Sequence, residues 1–141
     1  MSSDPSTTFI EKRPQTSNLT IATIVLLCVY WALLFAGTHF PLPPGALSGG
    51  MDKKIHFVAY AGLGLLLMAV HATRGLYSWK TVWICWLILV GYGVFDEVTQ
   101  PLVNRQCELY DWLYDITGAA TGLLFVTLAV WCLRPKMQVS S

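Results

Sequence analysis

Two adjacent acids, Asp96 and Glu97, stand in "GYGVFDEVTQP", where an apolar run that begins near Trp79 is still unfinished. A carboxylate in a dry site can hold or release a proton, so such a pair invites acid–base chemistry. Neighbours in sequence do not share a helix face, however. The better partner for Asp96 is therefore Asp115, in the later stretch "DWLYDITGAATG", across a seam between two helices. His56, one helical turn after Asp52, is the third candidate, and His56, Asp96 and Asp115 are the residues expected to carry any catalysis. Imidazole with carboxylates also describes a metal site. Yet no second histidine accompanies His56 and the spacing matches no metalloprotease signature, so neither a metal nor a cofactor is expected. Arg105 could grip an anionic headgroup in fork geometry or pair with Glu108 or Asp111. Glu97 and Glu108 are expected only to solvate helix ends and hydrogen-bond between helices, and His39 and His71 to mark interfaces. Thr99 and Cys107 have no histidine base at a recognisable spacing, so no covalent nucleophile stands out.

The elements that must position these groups follow from composition. Of 141 residues, 55% are hydrophobic and 12% charged, with a net charge of +1. Soluble domains carry about 25% charged residues, so the apolar excess must face lipid, and nothing basic favours a nucleic-acid partner. Four stretches, about 19–37, 55–72, 79–96 and 112–133, are long enough to span a bilayer and must be helical there. The first is read as retained rather than as a cleaved leader, because its apolar run exceeds the usual h-region. The expectation is an all-α, integral membrane four-helix bundle over residues 19–133, with flexible cytoplasmic tails at 1–18 and 134–141. Cys28, Cys85, Cys107 and Cys132 give neither a disulfide framework nor a zinc spacing.

Four spans put both tails and the 73–78 turn on one side, with loops 38–54 and 97–111 on the other. Lys12, Arg13, Arg74, Lys80, Arg134 and Lys136 then oppose Lys53, Lys54 and Arg105. The positive-inside rule places both termini in the cytoplasm. Among the 8 acids, all but Asp4 and Glu11 fall at the outer side. From Thr81 to Phe95 is only roughly 22 Å of helix, against a hydrocarbon core of about 30 Å. Asp96 is thus expected below the outer surface, with Asp115 and His56 at a similar depth. A carboxylate left to lipid there costs about 2.5 to 3.5 kcal/mol, so it must turn inward.

Helical spacing says where inward is. Asp52, His56, Ala59, Tyr60 and Leu63 form one stripe of the second helix. Leu89, Tyr92, Gly93, Asp96 and Gln100 cluster on the third, with Glu97 at the edge, and Asp111, Asp115, Gly118, Gly122 and Phe125 line up on the fourth. Gly118 and Gly122 make a GxxxG pair that permits close helix approach, and Gly93 is a packing position on the third helix. Trp79, Trp112 and Trp131 fall where aromatic belts do.

"DKKIHFVAYAGLGLLL", "YGVFDEVTQ" with the later Arg105, and "DWLYDITGAATG" together resemble the VanZ-like family of small bacterial membrane proteins. The resemblance covers roughly residues 30 to 133; the Pro-rich "HFPLPPGALSGG" departs from it. The family pattern falls on Asp52, Lys53, His56 and Tyr60, then on Asp96, Glu97, Gln100 and Arg105, then on Asp111, Asp115, Gly118 and Gly122. The resemblance implies a bacterial cytoplasmic membrane protein, from a family named for an association with teicoplanin resistance. Its ligand-binding residues would be Asp52, Lys53, His56, Tyr60, Asp96, Gln100, Arg105, Asp111 and Asp115. Membrane lipids and a lipid-linked or glycopeptide-like envelope molecule are the partners expected. Two readings stay open: a binding or modulating protein, or a hydrolase or transferase acting on a lipid or envelope precursor. A transporter, which would need a homodimer, is disfavoured because helices two to four turn apolar below their outer third.

Overall fold

A computed structural model describes residues 17–41 and 50–133, so most of the expected tails and the Pro-rich stretch lie outside the described residues. The described chain is four helices: α1 (Asn18–Thr38), α2 (Met51–Thr73), α3 (Trp79–Thr99) and α4 (Leu109–Leu133). All four are long and apolar enough to cross a membrane. Their outward surfaces are apolar to match, with Leu33, Val58, Trp83 and Phe125 each more than half exposed. In water that surface would drive aggregation; against acyl chains it costs nothing.

The helices begin and end for local reasons. Ser17 caps α1 and Ser78 caps α3, each hydroxyl accepting from a backbone N–H three residues on, at 3.1 Å. The α2–α3 turn uses Gly75 at φ 67, a left-handed value that glycine adopts without strain. Helix α3 stops at Thr99, two residues before Pro101, and a 3-10 turn over Gln100–Val103 carries the chain on until Asn104 closes it at φ 60. Proline offers no N–H to continue the ladder.

The helix ends that carry the acidic residues differ from the sequence expectation. α2 begins at Met51 rather than near 55, α3 with its 3-10 turn runs to Val103, and α4 starts at Leu109. The loop expected at 97–111 shrinks to a few residues. Hydropathy alone ended the helices at their first charges, but those charges face protein, so the helices continue through them.

The most extensive seam joins α2 and α4, and small residues make it. A Cβ on Gly118 would strike the Phe57 carbonyl, one on Gly122 the Ala61 carbonyl, and one on Gly64 the Ala119 carbonyl. Backbones approach this closely only where side chains are missing. Phe125, expected to continue the glycine stripe, instead points outward, while Ala119 and Leu123 are buried. α1 packs on α2, where the Tyr30 hydroxyl donates to Ala59 O at 2.9 Å through the space left by Gly62. Trp31 meets Tyr92 of α3 edge-to-face at 5.0 Å. Trp112 is more than a belt residue: its indole lies over Gly93 and donates to Val90 O at 3.4 Å.

Candidate functional site

Antiparallel succession brings the start of α2, the end of α3 and the start of α4 to one level. Helical periodicity turns Asp52 and His56, Asp96 and Gln100, and Asp111 and Asp115 toward the common axis. His56, Asp96, Glu97, Gln100, Asp111 and Asp115 are all buried there. At the centre, His56 Nδ1 lies at hydrogen-bond distance, 2.9 Å, from Asp115 Oδ1. Glu97 Oε1 stands 3.9 Å from the same nitrogen, and Asp52 Oδ1 stands 4.0 Å from the other ring nitrogen. The imidazole is therefore bracketed by three carboxylates from three helices.

Asp96 and Asp115 do not bond to each other, as the sequence reading had paired them. Asp96 turns toward α1: the Thr38 hydroxyl donates to its Oδ1 at 2.8 Å, and His39 Nδ1 lies 3.6 Å away. The His39 ring also contacts the Thr99 hydroxyl at 2.8 Å, so it is a bridge between α1 and α3 rather than a mere interface marker. The split is geometric. His56 on α2 is nearer to Asp115, and α1, absent from the expected site, supplies the partner for Asp96.

Toward the helix ends the cluster gives way to partly exposed ion pairs. Lys53 Nζ reaches Glu108 at 2.9 Å and Asp111 at 3.4 Å. Arg105 donates to Asp52 Oδ1 at 3.2 Å and to the Gly37 carbonyl at 3.5 Å, so its partner is neither Glu108 nor Asp111. Exposed pairs like these contribute little to stability. Their value is that the cations can exchange one anion for another.

Of the two roles expected for Glu97, the structure shows hydrogen bonding between elements and not solvation. Rather than solvating a helix end, it is 3% exposed. It accepts from the Gln100 amide at 3.2 Å and from the Glu108 N–H at 2.9 Å, and so ties the 104–108 turn to α3. Its position at the edge of the inward arc was the available signal. Tyr60 is wholly buried with its ring stacked on Tyr92, centroids 5.9 Å apart, and its hydroxyl sits in the field of Asp115 and Asp96. Well away from this chemistry, a groove of about 270 Å³ between α3 and α4 is lined by Trp79, Trp83, Trp86 and Leu123 with their apolar neighbours; it suits an acyl chain and offers no reactive group.

The arrangement can hold a positively charged group between buried carboxylates, meet an anion with Lys53 or Arg105, or pass a proton along His56 and Asp115. A family model described as VanZ/LLP1 matches residues 3–130, a span that includes every residue of the cluster. No curated protein and no solved structure matches the chain.

Proposed function

The chain belongs to the VanZ/LLP1 family, and from that membership and the placement of its cluster we propose that it binds an envelope amphiphile at the outer end of its bundle. It does so in a bacterial cytoplasmic membrane with both termini inside. The headgroup, lipid-linked or glycopeptide-like, is met by the rim cations, while the apolar flanks of the helices take the chain. The observation that carries this reading is Arg105, held between Asp52 and the Gly37 carbonyl at the rim of a buried acid–histidine cluster. Ionisable groups at membrane depth are seldom retained for stability, since each costs several kcal/mol unless paired. A guanidinium on a partly exposed carboxylate can trade it for a phosphate or carboxylate of a ligand with bidentate geometry.

Native mass spectrometry of the protein extracted with its surrounding lipids tests the proposal. The expected result is a co-purifying amphiphile distinct from bulk phospholipid, reduced at least about tenfold in Arg105→Gln, which corresponds to about 1.4 kcal/mol. The same bulk phospholipid on both proteins would overturn it.

A second reading, a hydrolase or transferase, is favoured by one contact: the 2.9 Å bond from His56 to Asp115, a base–orienter geometry. In that case Asp115→Asn keeps the amphiphile bound but loses its turnover, because the isostere preserves shape and removes the charge that supports an imidazolium. Turnover undiminished in both Asp115→Asn and Asp96→Asn removes the reading.

A further inference from the structure

The deepest part of the cluster has too many acceptors for its donors. Asp52 is matched by Arg105, and Asp111 and Glu108 by Lys53. Glu97 and Asp115 have no Lys or Arg within ion-pair distance among the described residues; what they share is His56 Nδ1, at 3.9 and 2.9 Å. One ring nitrogen carries at most one proton; Glu97 also accepts from the Gln100 amide and the Glu108 N–H, so Asp115 is the carboxylate left short of donors. Asp115 is 0% exposed, and its Oδ2 makes no hydrogen bond among the described residues. The same holds for Oε1 of Gln100, whose amide nitrogen already lies on Glu97. Buried acceptors left this way cost about 1–3 kcal/mol each, and a hydrogen-bond donor or a cation relieves them.

We propose that His56, Glu97 and Asp115 form a binding site for one divalent transition-metal ion, of the Zn²⁺ or Mn²⁺ class. One donor atom from each residue lies within 4.8 Å of the other two. An ion bound at about 2.1 Å holds adjacent ligand atoms about 3.0 to 3.4 Å apart, so the observed 2.9 and 3.9 Å bracket that spacing. One imidazole nitrogen with two carboxylates suits a borderline ion better than Mg²⁺, which prefers all-oxygen sites with water retained. With its proton on Nε2, His56 turns the Nδ1 lone pair to the ion. Asp52 Oδ1, 4.0 Å from Nε2, is the carboxylate on that side of the ring and would have to close by about 1 Å to become its orienting acceptor. The ion also neutralises two carboxylates that lipid depth would otherwise penalise. Asp52, His56 and Asp111 form another three-residue group around the same ring, but its carboxylates already hold Arg105 and Lys53.

The test uses the full chain in detergent, purified without chelator. Its metal content is measured directly, and its unfolding temperature is followed as ZnCl₂, MnCl₂ or MgCl₂ is added to metal-free protein. The expected result is about one zinc or manganese per chain and a rise in unfolding temperature with those ions at concentrations where Mg²⁺ has none. Glu97→Gln and Asp115→Asn should each weaken binding at least about tenfold, the lower end of losses at supporting residues, and each by more than Asp111→Asn does. Should the carboxamide variants fail to fold, Mn²⁺ bound to the unaltered chain must still show nitrogen hyperfine coupling from the imidazole. Three outcomes overturn the proposal: no stoichiometric metal and no thermal response in the unaltered chain, bound Mn²⁺ lacking that coupling, or binding lost in Asp111→Asn and kept in Asp115→Asn.

Discussion

Gly122 has the tightest surroundings of any described glycine: a Cβ there would run into the Ala61 carbonyl and the Leu65 amide of α2, both backbone atoms that cannot swing aside. Hydrogen is the only side chain that fits, and the closeness of α2 to α4 at this point sets how near His56 comes to Asp115 one helical turn and more above. Gly122→Leu should therefore force the helices apart, at a cost of at least about 1–3 kcal/mol from overpacking alone. The expected readout is a lowered unfolding temperature in detergent together with loss of whatever ligand or ion the cluster holds. Gly91 is the control, since a Cβ there meets nothing within 4 Å; Gly91→Ala should be neutral or stabilise slightly through helix propensity. Equal unfolding temperatures for the two variants would show that the seam is not as tight as these contacts require. The GxxxG spacing made this pair legible in the sequence, because four residues return to one helix face. The reciprocal Gly64 was not legible, since a single glycine announces no partner.

At the scale of the element, α1 is the helix whose role the sequence least disclosed. Its long uninterrupted apolar run predicted a span and nothing else, and its polar end was read as the beginning of a loop. Thr38 and His39 in fact reach α3, the first donating to Asp96 at 2.8 Å and the second meeting Thr99 at 2.8 Å. Partners of this sort lie 58 and 60 residues apart in the chain, and no local pattern encodes a distance of that kind. The same limit hid Glu97, whose burial depends on α4 starting at Leu109 and the preceding turn folding back over it. By contrast the stripe of α2, and that of α4 as far as Gly122, were readable, because residue spacing within one helix fixes its inward face without reference to its neighbours. The tie from α1 is testable on its own. Thr38→Val keeps the shape but leaves Asp96 Oδ1 without its hydroxyl donor, a loss of about 1–3 kcal/mol for a buried charged acceptor. Thr23→Val removes a hydroxyl that bonds only to Leu19 O in its own helix, and should change stability by no more than about 0.5 kcal/mol. A fall in unfolding temperature confined to Thr38→Val, with a cysteine introduced near the end of α1 becoming faster to label, is the expected pattern. Matching behaviour of the two valine variants would mean that Asp96 draws its support from elsewhere.

For the whole molecule, polar chemistry gathers at one end of an otherwise apolar bundle, and the direction of that end decides what the protein can meet. All but two of the 8 acids belong to the cluster end, while Arg74 and Lys80 flank the opposite turn. Acids say little about insertion, whereas Lys and Arg in short loops say a good deal. In the sequence, Lys12 and Arg13 precede α1 and Arg134 and Lys136 follow α4, which with Arg74 and Lys80 makes six cations on the tail side, against Lys53, Lys54 and Arg105 on the other. An outward cluster is the arrangement that this imbalance favours, and it is also the one that lets an external amphiphile or metal ion reach His56 without crossing the apolar two-thirds of the bundle. The orientation can be read with paired reporters in a bacterial host. Fluorescent protein fused after residue 141 should light up, and alkaline phosphatase at the same place should be inactive; phosphatase inserted between α1 and α2, within residues 42–49, should be active. Reversal of all three signals would place the acids and His56 against the cytoplasm. A cytoplasmic site would meet nucleotide-linked precursors in place of exported ones, so the reporter result chooses the compartment in which a ligand should be sought before any ligand is named.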